Sequence, residues 1–288
     1  MSEWRYQKIP KVAFTYWSGR MSYLHYCCLK SFRDLNPDWK IILYRPTYDY
    51  NGNNTWHTPE HTVKYIKKDY TEDALKLDIE VIKIDLVDIG FRNDVPEVFK
   101  SNYVTYYILS KYGGVWFDMD ILFIKPMKEL DLKDDIIKGD VSSIEAVISC
   151  CGTRGYCFFS TGLLIGAPES KFFKLLFDEL LKNFNPLDYQ SATNKLYPKL
   201  FGDANGIAEK FPDLHFANIN IDIIYPYKWN QMDVLFTQNN IQYIINKTIG
   251  VHWYNGSTTT ETFLNNENYE EQVSINTIIK KYLGYNHF

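Results

Sequence analysis

Two aspartates one residue apart are the side chains of this sequence best suited to chemistry. Asp118 and Asp120 follow the apolar stretch Gly-Val-Trp-Phe at 114–117. In a β-strand, residues i and i+2 point to the same side, so a strand running through both aspartates would project the two carboxylates together. Carboxylate oxygens suit Mg²⁺ or Mn²⁺, and both ions share coordination with phosphate oxygens. The pair predicts a divalent metal site, although Asp-x-Asp alone is also common in turns and solvated acidic pairs.

The surroundings of the pair favour the metal site over a turn. A Gly-Gly pair at 113–114 ends a predicted helix over 97–112 by supplying a left-handed C-cap, and a strand is predicted over Val115–Ile124. Carboxylates flanked by Trp116 and Phe117 are costly unless something pairs them. An open α/β sheet also places its ligand crevice at the carboxyl ends of its strands.

The elements before the pair predict a parallel sheet. A strand at Val12–Trp17, a helix over about 21–34 and a strand at Lys40–Tyr44 form a βαβ unit. Further elements are predicted as strands at Leu77–Ile89, Thr161–Ile165, 221–225, 241–245 and 249–253, and as a helix over about 169–183. The pattern is that of an α/β fold with a mixed, mainly parallel central sheet. Because no linker is evident, the 288 residues are predicted to form one domain.

Composition excludes several classes of protein. The net charge of −4 provides no clustered basic surface for a nucleic-acid partner. No apolar run is long enough to span a membrane, and the N-terminus lacks the apolar stretch of a signal peptide. The cysteines do not show paired zinc spacing, so they are expected to be reduced and buried, which favours a cytoplasmic location. They are Cys27, Cys28, Cys150, Cys151 and Cys157.

The stretch from Ser101 to Asp120, SNYVTYYILSKYGGVWFDMD, resembles the DXD sugar-binding region of capsular-polysaccharide-synthesis glycosyltransferases of family 32. These are similar to the catalytic domains of the large clostridial glucosylating toxins. Weaker similarity extends the resemblance to about residues 9–257. It implies a GT-A type fold, with a nucleotide-sugar lobe over about 9–125 and an acceptor-side lobe over about 126–288. It also implies Mn²⁺ or Mg²⁺, a UDP-sugar donor, a glycan or other hydroxyl acceptor, and transfer with retention.

The resemblance also implies roles for single residues. Asp118 and Asp120 correspond to the catalytic pair that engages metal, diphosphate and ribose, and His252 to a histidine that contacts the metal or the diphosphate. Trp17 corresponds to the aromatic residue that stacks on uracil, although a core tryptophan at a strand end explains it equally well. Judged alone, a histidine after an apolar strand is more often structural. The other donor-binding positions implied are Ser101, Asn102, Thr105, Tyr106, Asn255 and Ser257.

The sequence departs from the family at one charged pair. The family's Ser-Asp-x-x-Arg is here Ser101-Asn102-Tyr-Val-Thr105, so both charges are absent together. A catalytically inactive relative that binds nucleotide sugar or glycan is therefore an alternative. A nucleotidyltransferase would need a glycine-rich phosphate loop, which the sequence lacks, and a pure interaction module leaves the aspartates unexplained. No residue of the sequence stands out as a nucleophile.

Overall fold

The structure is a computed structural model that describes residues 4–57, 59–151, 158–191, 193–266 and 273–285. Two groups of strands occur in these residues, one forming a large central sheet and one forming a short two-stranded sheet. The strands are β1 (Val12–Tyr16), β2 (Lys40–Pro46), β3 (Glu80–Ile84), β4 (Gly114–Phe117), β5 (Ile121–Phe123), β6 (Ile136–Lys138), β7 (Ala146–Cys151), β8 (Phe158–Gly166), β9 (Phe216–Asn218) and β10 (Gly250–His252).

The helices lie on both faces of the central sheet and beyond its ends. They are α1 (Tyr23–Leu35), α2 (Thr71–Leu75), α3 (Glu97–Lys111), α4 (Lys171–Asn183), α5 (Leu196–Phe201), α6 (Ala204–Lys210), α7 (Met232–Thr237), α8 (Thr258–Asn265) and α9 (Ser274–Ile278), the last continuing as a π-helical turn over Ile279–Leu283. Short 3₁₀ turns lie at Val87–Ile89, Met127–Glu129, Ile221–Ile223 and Trp229–Gln231.

The central sheet confirms the predicted mixed, mainly parallel α/β fold. Its order over the described residues is β3-β2-β1-β4-β8-β7-β9-β6. The pairs β3–β2, β2–β1, β1–β4 and β7–β9 are parallel. The pairs β4–β8, β8–β7 and β9–β6 are antiparallel. The predicted βαβ unit is therefore present as β1, α1 and β2.

Strand alternation divides the interior into two layers. Ala13 packs into the core on the α1 side of the sheet, while its neighbour Phe14 packs into the core on the α3 and α4 side. On the α1 side, the Phe32 ring stacks on Phe117 with centroids 5.0 Å apart. Burying one large apolar side chain contributes about 1.5–3 kcal/mol, so these layers hold β4 firmly at the centre of the sheet.

The glycine stop after α3 has the predicted geometry. Gly113 has φ +61°, and a Cβ there would lie 2.4 Å from the nitrogen of Pro168. The left-handed backbone and the close approach both require glycine. The stop matters for function because it turns the chain directly from α3 into β4, and β4 leads to the aspartates.

Three predicted strands are wrong. The strand over Val115–Ile124 is split by a turn, 221–225 begins with a 3₁₀ turn, and 241–245 forms no strand. The Asn220 side chain accepts a hydrogen bond from the Asp222 N–H, which stabilises the turn instead of an extended chain. Ile241, Tyr243 and Ile244 pack on the core beside α7 and α9 without a strand partner, while Ile245 is exposed.

One cysteine contradicts the expectation of uniformly reduced thiols. Cys27 and Cys28 are free and buried, but Cys150 is disulfide-bonded. Cys157 and the side chain of Cys151 lie outside the described residues. Separately, none of the helices in the described ranges is long and apolar enough to cross a membrane.

Candidate active site

Asp118 and Asp120 lie in the turn that joins β4 to β5. The Asp118 N–H donates to the Gly162 carbonyl at 2.8 Å, which extends the ladder between β4 and β8 by one residue. The Ile121 N–H then donates to the Asp118 carbonyl at 3.1 Å and closes the turn. The predicted strand through both aspartates is therefore wrong, and their convergence comes from the turn rather than from the two-residue period of a strand.

His252 completes a group of three possible metal ligands. β10 pairs antiparallel with β5 and places His252 opposite Ile121, next to the turn. Its Nε2 lies 3.0 Å from Asp120 Oδ1 and 3.8 Å from Asp118 Oδ2. One ligand atom from each of the three residues lies within 4.8 Å of the others. The structure thus brings together the three residues that the sequence analysis assigned to a metal.

Hydrogen bonds to one oxygen of each carboxylate fix the orientation of the Asp118 and Asp120 side chains. Trp116 Nε1 donates to Asp118 Oδ1 at 2.9 Å, and the Asn255 N–H donates to Asp120 Oδ2 at 2.8 Å. The chain reaches Asn255 through Tyr254, whose φ of +47° is unusual for a non-glycine residue. One oxygen of each aspartate is therefore held by the protein while the other faces His252.

The charges of the site are unbalanced without a cation. Burial raises the pKa of Asp118. Burial acts in the same direction on Asp120, but His252 and the Asn255 N–H outweigh it and keep the pKa of Asp120 below its usual range. Burial also opposes protonation of His252, yet the two aspartates raise its pKa to about 9. One imidazolium cannot neutralise two carboxylates, so the donor set fits a divalent cation.

Gly162 and Tyr225 form the floor beneath the three ligands. The Tyr225 hydroxyl accepts a hydrogen bond from the Gly162 N–H at 3.1 Å and contacts the Ser160 hydroxyl. The Tyr225 ring lies 4.6 Å from the ring of His252. A Cβ on Gly162 would lie 2.2 Å from the Tyr225 hydroxyl and 3.3 Å from Asp118 Oδ2. Any side chain at this position would enter the space of the site.

Trp17 lies just past the end of β1, on the side of the sheet that α1 covers. It is half-buried, and its ring centroid is 3.9 Å from that of His25. Its Nε1 donates to the Arg20 carbonyl at 3.2 Å. The side chain is therefore neither a fully buried core tryptophan nor a free surface one.

The donor-sugar positions implied by the resemblance lie on α3, and in the described part of the chain none of their side chains hydrogen-bonds to the aspartates. Ser101 and Asn102 are half-buried. Thr105 is buried and its hydroxyl donates to the Ser101 carbonyl at 2.8 Å. Tyr106 is fully buried beside Tyr197, in the core between α3 and β8. Ser101 and Asn102 are thus the members of the group whose polar side chains make no hydrogen bond to the described residues.

Asn255 and Ser257, the two implied donor-binding positions after β10, differ in what they contact. Asn255 reaches the site directly through its backbone N–H, as described above. Ser257 is the N-cap of α8, because its hydroxyl accepts a hydrogen bond from the Thr260 N–H at 3.1 Å. The fold therefore gives Ser257 a structural task that explains its position without a ligand.

Several residues near the site were not found from the sequence. Glu97 accepts hydrogen bonds from Lys100 Nζ at 2.8 Å and from the Tyr50 N–H at 2.6 Å, and Lys100 is completely buried. Burial raises the pKa of Tyr189, and Asp118, Glu60 and Asp120 act in the same direction, which places its hydroxyl near the carboxylates. Tyr50 and Tyr189 come from loops distant in sequence from α3, which carries Glu97 and Lys100, and no local motif marks these contacts.

Residues 22–141 match the family described as the glycosyltransferase sugar-binding region containing the DXD motif. The match includes the turn with Asp118 and Asp120. Over residues 22–141 the chain is therefore similar to glycosyltransferases of this DXD type. The mixed, mainly parallel sheet agrees with the α/β fold expected from the sequence.

Three solved structures of glycosyltransferases show limited similarity to this chain. The PaToxG glycosyltransferase is 12% identical, with 71% of this chain and 70% of that chain covered and a TM-score of 0.44. The galactosyltransferase LgtC with donor and acceptor sugar analogues is 14% identical, with 84% and 86% covered and a TM-score of 0.39. GlyE of Streptococcus pneumoniae TIGR4 is 11% identical, with 85% and 54% covered and a TM-score of 0.42. No curated protein matches the sequence significantly.

Proposed function

We propose that this chain is a glycosyltransferase that transfers a hexose from a UDP-sugar to a hydroxyl group of a glycan or similar acceptor, with Mn²⁺ or Mg²⁺ held by Asp118, Asp120 and His252. The observation that carries the proposal is the convergence of these three side chains, whose ligand atoms lie within 4.8 Å of one another. Their oxygen and imidazole ligands suit a divalent ion that shares its coordination with a diphosphate.

The protein's own groups orient this centre. When bound, the metal would act as a Lewis acid that stabilises negative charge on the departing diphosphate. Trp116 Nε1 and the Asn255 N–H hold one oxygen of Asp118 and Asp120, respectively, so the remaining oxygens point toward the shared space. Because these donors are fixed before substrate arrives, little reorganisation is needed on binding.

The remaining donor contacts extend along one edge of the sheet. Trp17, half-buried at the end of β1, is proposed to stack on the nucleobase. Asn102, on α3, is proposed to contact the sugar ring, together with the backbone region of Ser101 and Thr105. Residues 126–288 are proposed to shape the acceptor side.

Transfer is proposed to retain the anomeric configuration, as the family resemblance implies. In a front-face reaction, the acceptor oxygen forms the new bond on the side from which the diphosphate leaves. The leaving phosphate oxygen takes the acceptor's proton, so the protein need not supply a nucleophile.

The test is hydrolysis of a panel of UDP-sugars with Mn²⁺, with Mg²⁺ and with excess chelator. We expect turnover only with metal, and its loss in Asp120→Asn, which keeps the acceptor for the Asn255 N–H but removes the charge. Asp88→Asn, on an exposed carboxylate, is the matched control and should behave as the unaltered protein. Undiminished turnover in chelator or in Asp120→Asn would refute the metal assignment.

A further inference from the structure

A buried imidazole lies between two tryptophans behind the aspartate turn. His25, near the start of α1, is only 1% exposed. Its ring centroid is 3.9 Å from Trp17 and 5.0 Å from Trp253. Trp253 follows β10 directly and donates its backbone N–H to the Asp120 carbonyl at 2.9 Å. His25 therefore touches both the residue proposed to stack on the nucleobase and the segment that carries the metal ligands.

The start of α1 fixes the orientation of this ring. The Ser22 N–H donates to His25 Nδ1 at 3.0 Å, while the Ser22 hydroxyl accepts the His25 N–H at 3.4 Å. This is a capping box in which histidine replaces the usual Glu or Gln. Because a backbone N–H can only donate, Nδ1 is the acceptor and the proton of the neutral ring lies on Nε2.

The other nitrogen faces the metal-binding segment. Nε2 of His25 and Oδ1 of Asn255 are both buried without a hydrogen-bond partner of good geometry among the described residues. Burial lowers the pKa of His25 to about 3, and Asp120 and the Asn255 side chain act in the opposite direction, which places both near the ring. The ring is therefore neutral and presents its N–H toward the residue whose backbone orients Asp120.

We propose that His25 is a positioning residue that sets the separation between the nucleobase platform at Trp17 and the metal-binding turn at Asp120. This inference depends on the proposed role of Trp17. A cap alone would need only the Nδ1 acceptor, which Gln supplies equally well. The ring between Trp17 and Trp253 has a second effect. It keeps the nucleobase end and the diphosphate end of the proposed site at a fixed distance from each other.

The experiment compares variants that separate the cap from the ring. His25→Gln keeps the capping box and removes the ring, so its melting temperature should stay close to that of the unaltered protein. Because Trp17 loses its support, we expect the Kd for UDP and the KM for the donor to rise about tenfold, with kcat changed much less. His25→Phe restores a ring and should restore UDP affinity to within about threefold, although it loses the acceptor for the Ser22 N–H.

Three further variants make every outcome decisive. Trp17→Ala tests the proposed platform itself, and normal UDP binding by that variant would refute both the platform and this inference. If Trp17→Ala binds weakly while His25→Gln binds normally, His25 is only a cap, and the proposed function stands without it. Should His25→Gln fail to fold, His25→Met is compared with Ser22→Ala, since each lacks one half of the capping box but only Ser22→Ala keeps the ring. Equal UDP affinity in those two would overturn the inference.

Discussion

At the scale of single residues, Gly162 controls the space below the proposed metal ligands. In Gly162→Ala the new methyl group would lie 2.2 Å from the Tyr225 hydroxyl and would displace the ring on which His252 packs. Because a shift of about 1 Å at a reacting centre can cost about 100-fold, we expect turnover to fall by about that factor. Overpacking should also cost about 1–3 kcal/mol of stability. Turnover and the free energy of unfolding are the measurements.

A double-variant cycle provides the control for Gly162. Tyr225→Phe removes the hydroxyl that the methyl would strike, so Gly162→Ala should cost less in that background than in the unaltered protein. Equal losses in the two backgrounds would show that the collision with Tyr225 is not the cause.

Substitution of Asn102 should change which UDP-hexose the protein prefers as donor. A carboxylate accepts stronger, charge-assisted hydrogen bonds from sugar hydroxyls than a neutral amide, so discrimination among hexoses should be weak in the unaltered protein. Asn102→Asp alone should lower turnover with every UDP-hexose, because it adds an unpaired charge at a half-buried position. Adding Thr105→Arg should recover turnover and shift the preferred donor. The measurement is the ratio of hydrolysis rates for several UDP-hexoses, and identical ratios in all three proteins would exclude contact between Asn102 and the sugar.

At the scale of elements, α8 anchors the long segment between β2 and α2. Glu261 on α8 accepts the Lys64 N–H at 2.9 Å and contacts His61 Nε2 at 2.8 Å. The His61 N–H also donates to the Gly256 carbonyl at 3.1 Å, next to the loop that holds Asn255. The segment is thus joined at two points, to α8 and to the loop that holds Asn255.

The anchor predicts a dependence of stability on pH. Burial opposes ionisation of Glu261, but the Lys64 N–H and His61 outweigh it and lower its pKa. A carboxyl with a lowered folded-state pKa stabilises above its unfolded pKa of about 4.3 and loses that contribution as pH falls through the folded value. Glu261→Gln should therefore cost up to about 1 kcal/mol at neutral pH and nothing at strongly acidic pH. Urea unfolding against pH is the measurement.

The matched control for the anchor is Glu129→Gln, on an exposed carboxylate. Its stability difference from the unaltered protein should remain near zero at each pH. A Glu261→Gln difference that persists unchanged below the folded pKa would mean that the carboxylate charge is not what anchors the segment.

At the scale of the whole molecule, metal and nucleotide should stabilise the fold cooperatively. A ligand at 100 times its Kd adds about 2.7 kcal/mol to the free energy of unfolding when it binds only the folded chain. In a chain of 288 residues, each kcal/mol corresponds to about 2–4 °C in melting temperature. Since the proposed centre shares the ion between protein and diphosphate, UDP with Mn²⁺ should raise the melting temperature by more than the sum of the separate effects. Strictly additive shifts would contradict a shared ion.

The local chemistry of the site could be predicted from the sequence because its evidence is contiguous. The stretch from Ser101 to Asp120 contains a helix, its glycine stop, a strand and both aspartates, and hydrophobic spacing with turn residues specifies each of these locally. The β1–α1–β2 unit was predictable for the same reason. His252 was identified by resemblance, since its own neighbours along the chain would equally suit a structural histidine.

What the sequence left undecided depended on contacts between distant segments. Short apolar runs such as 221–225 and 241–245 fit a strand or a packed turn equally well, and the available partners decide between them. The aspartates lie in a turn because β8 and β10 flank them, which no local period encodes. His25 and Gly162 belong to the site only because folding brings α1 and β8 against it. Sequence alone thus determined the residue types proposed to bind the metal and the first elements of the sheet, whereas tertiary packing decided the geometry that orients them.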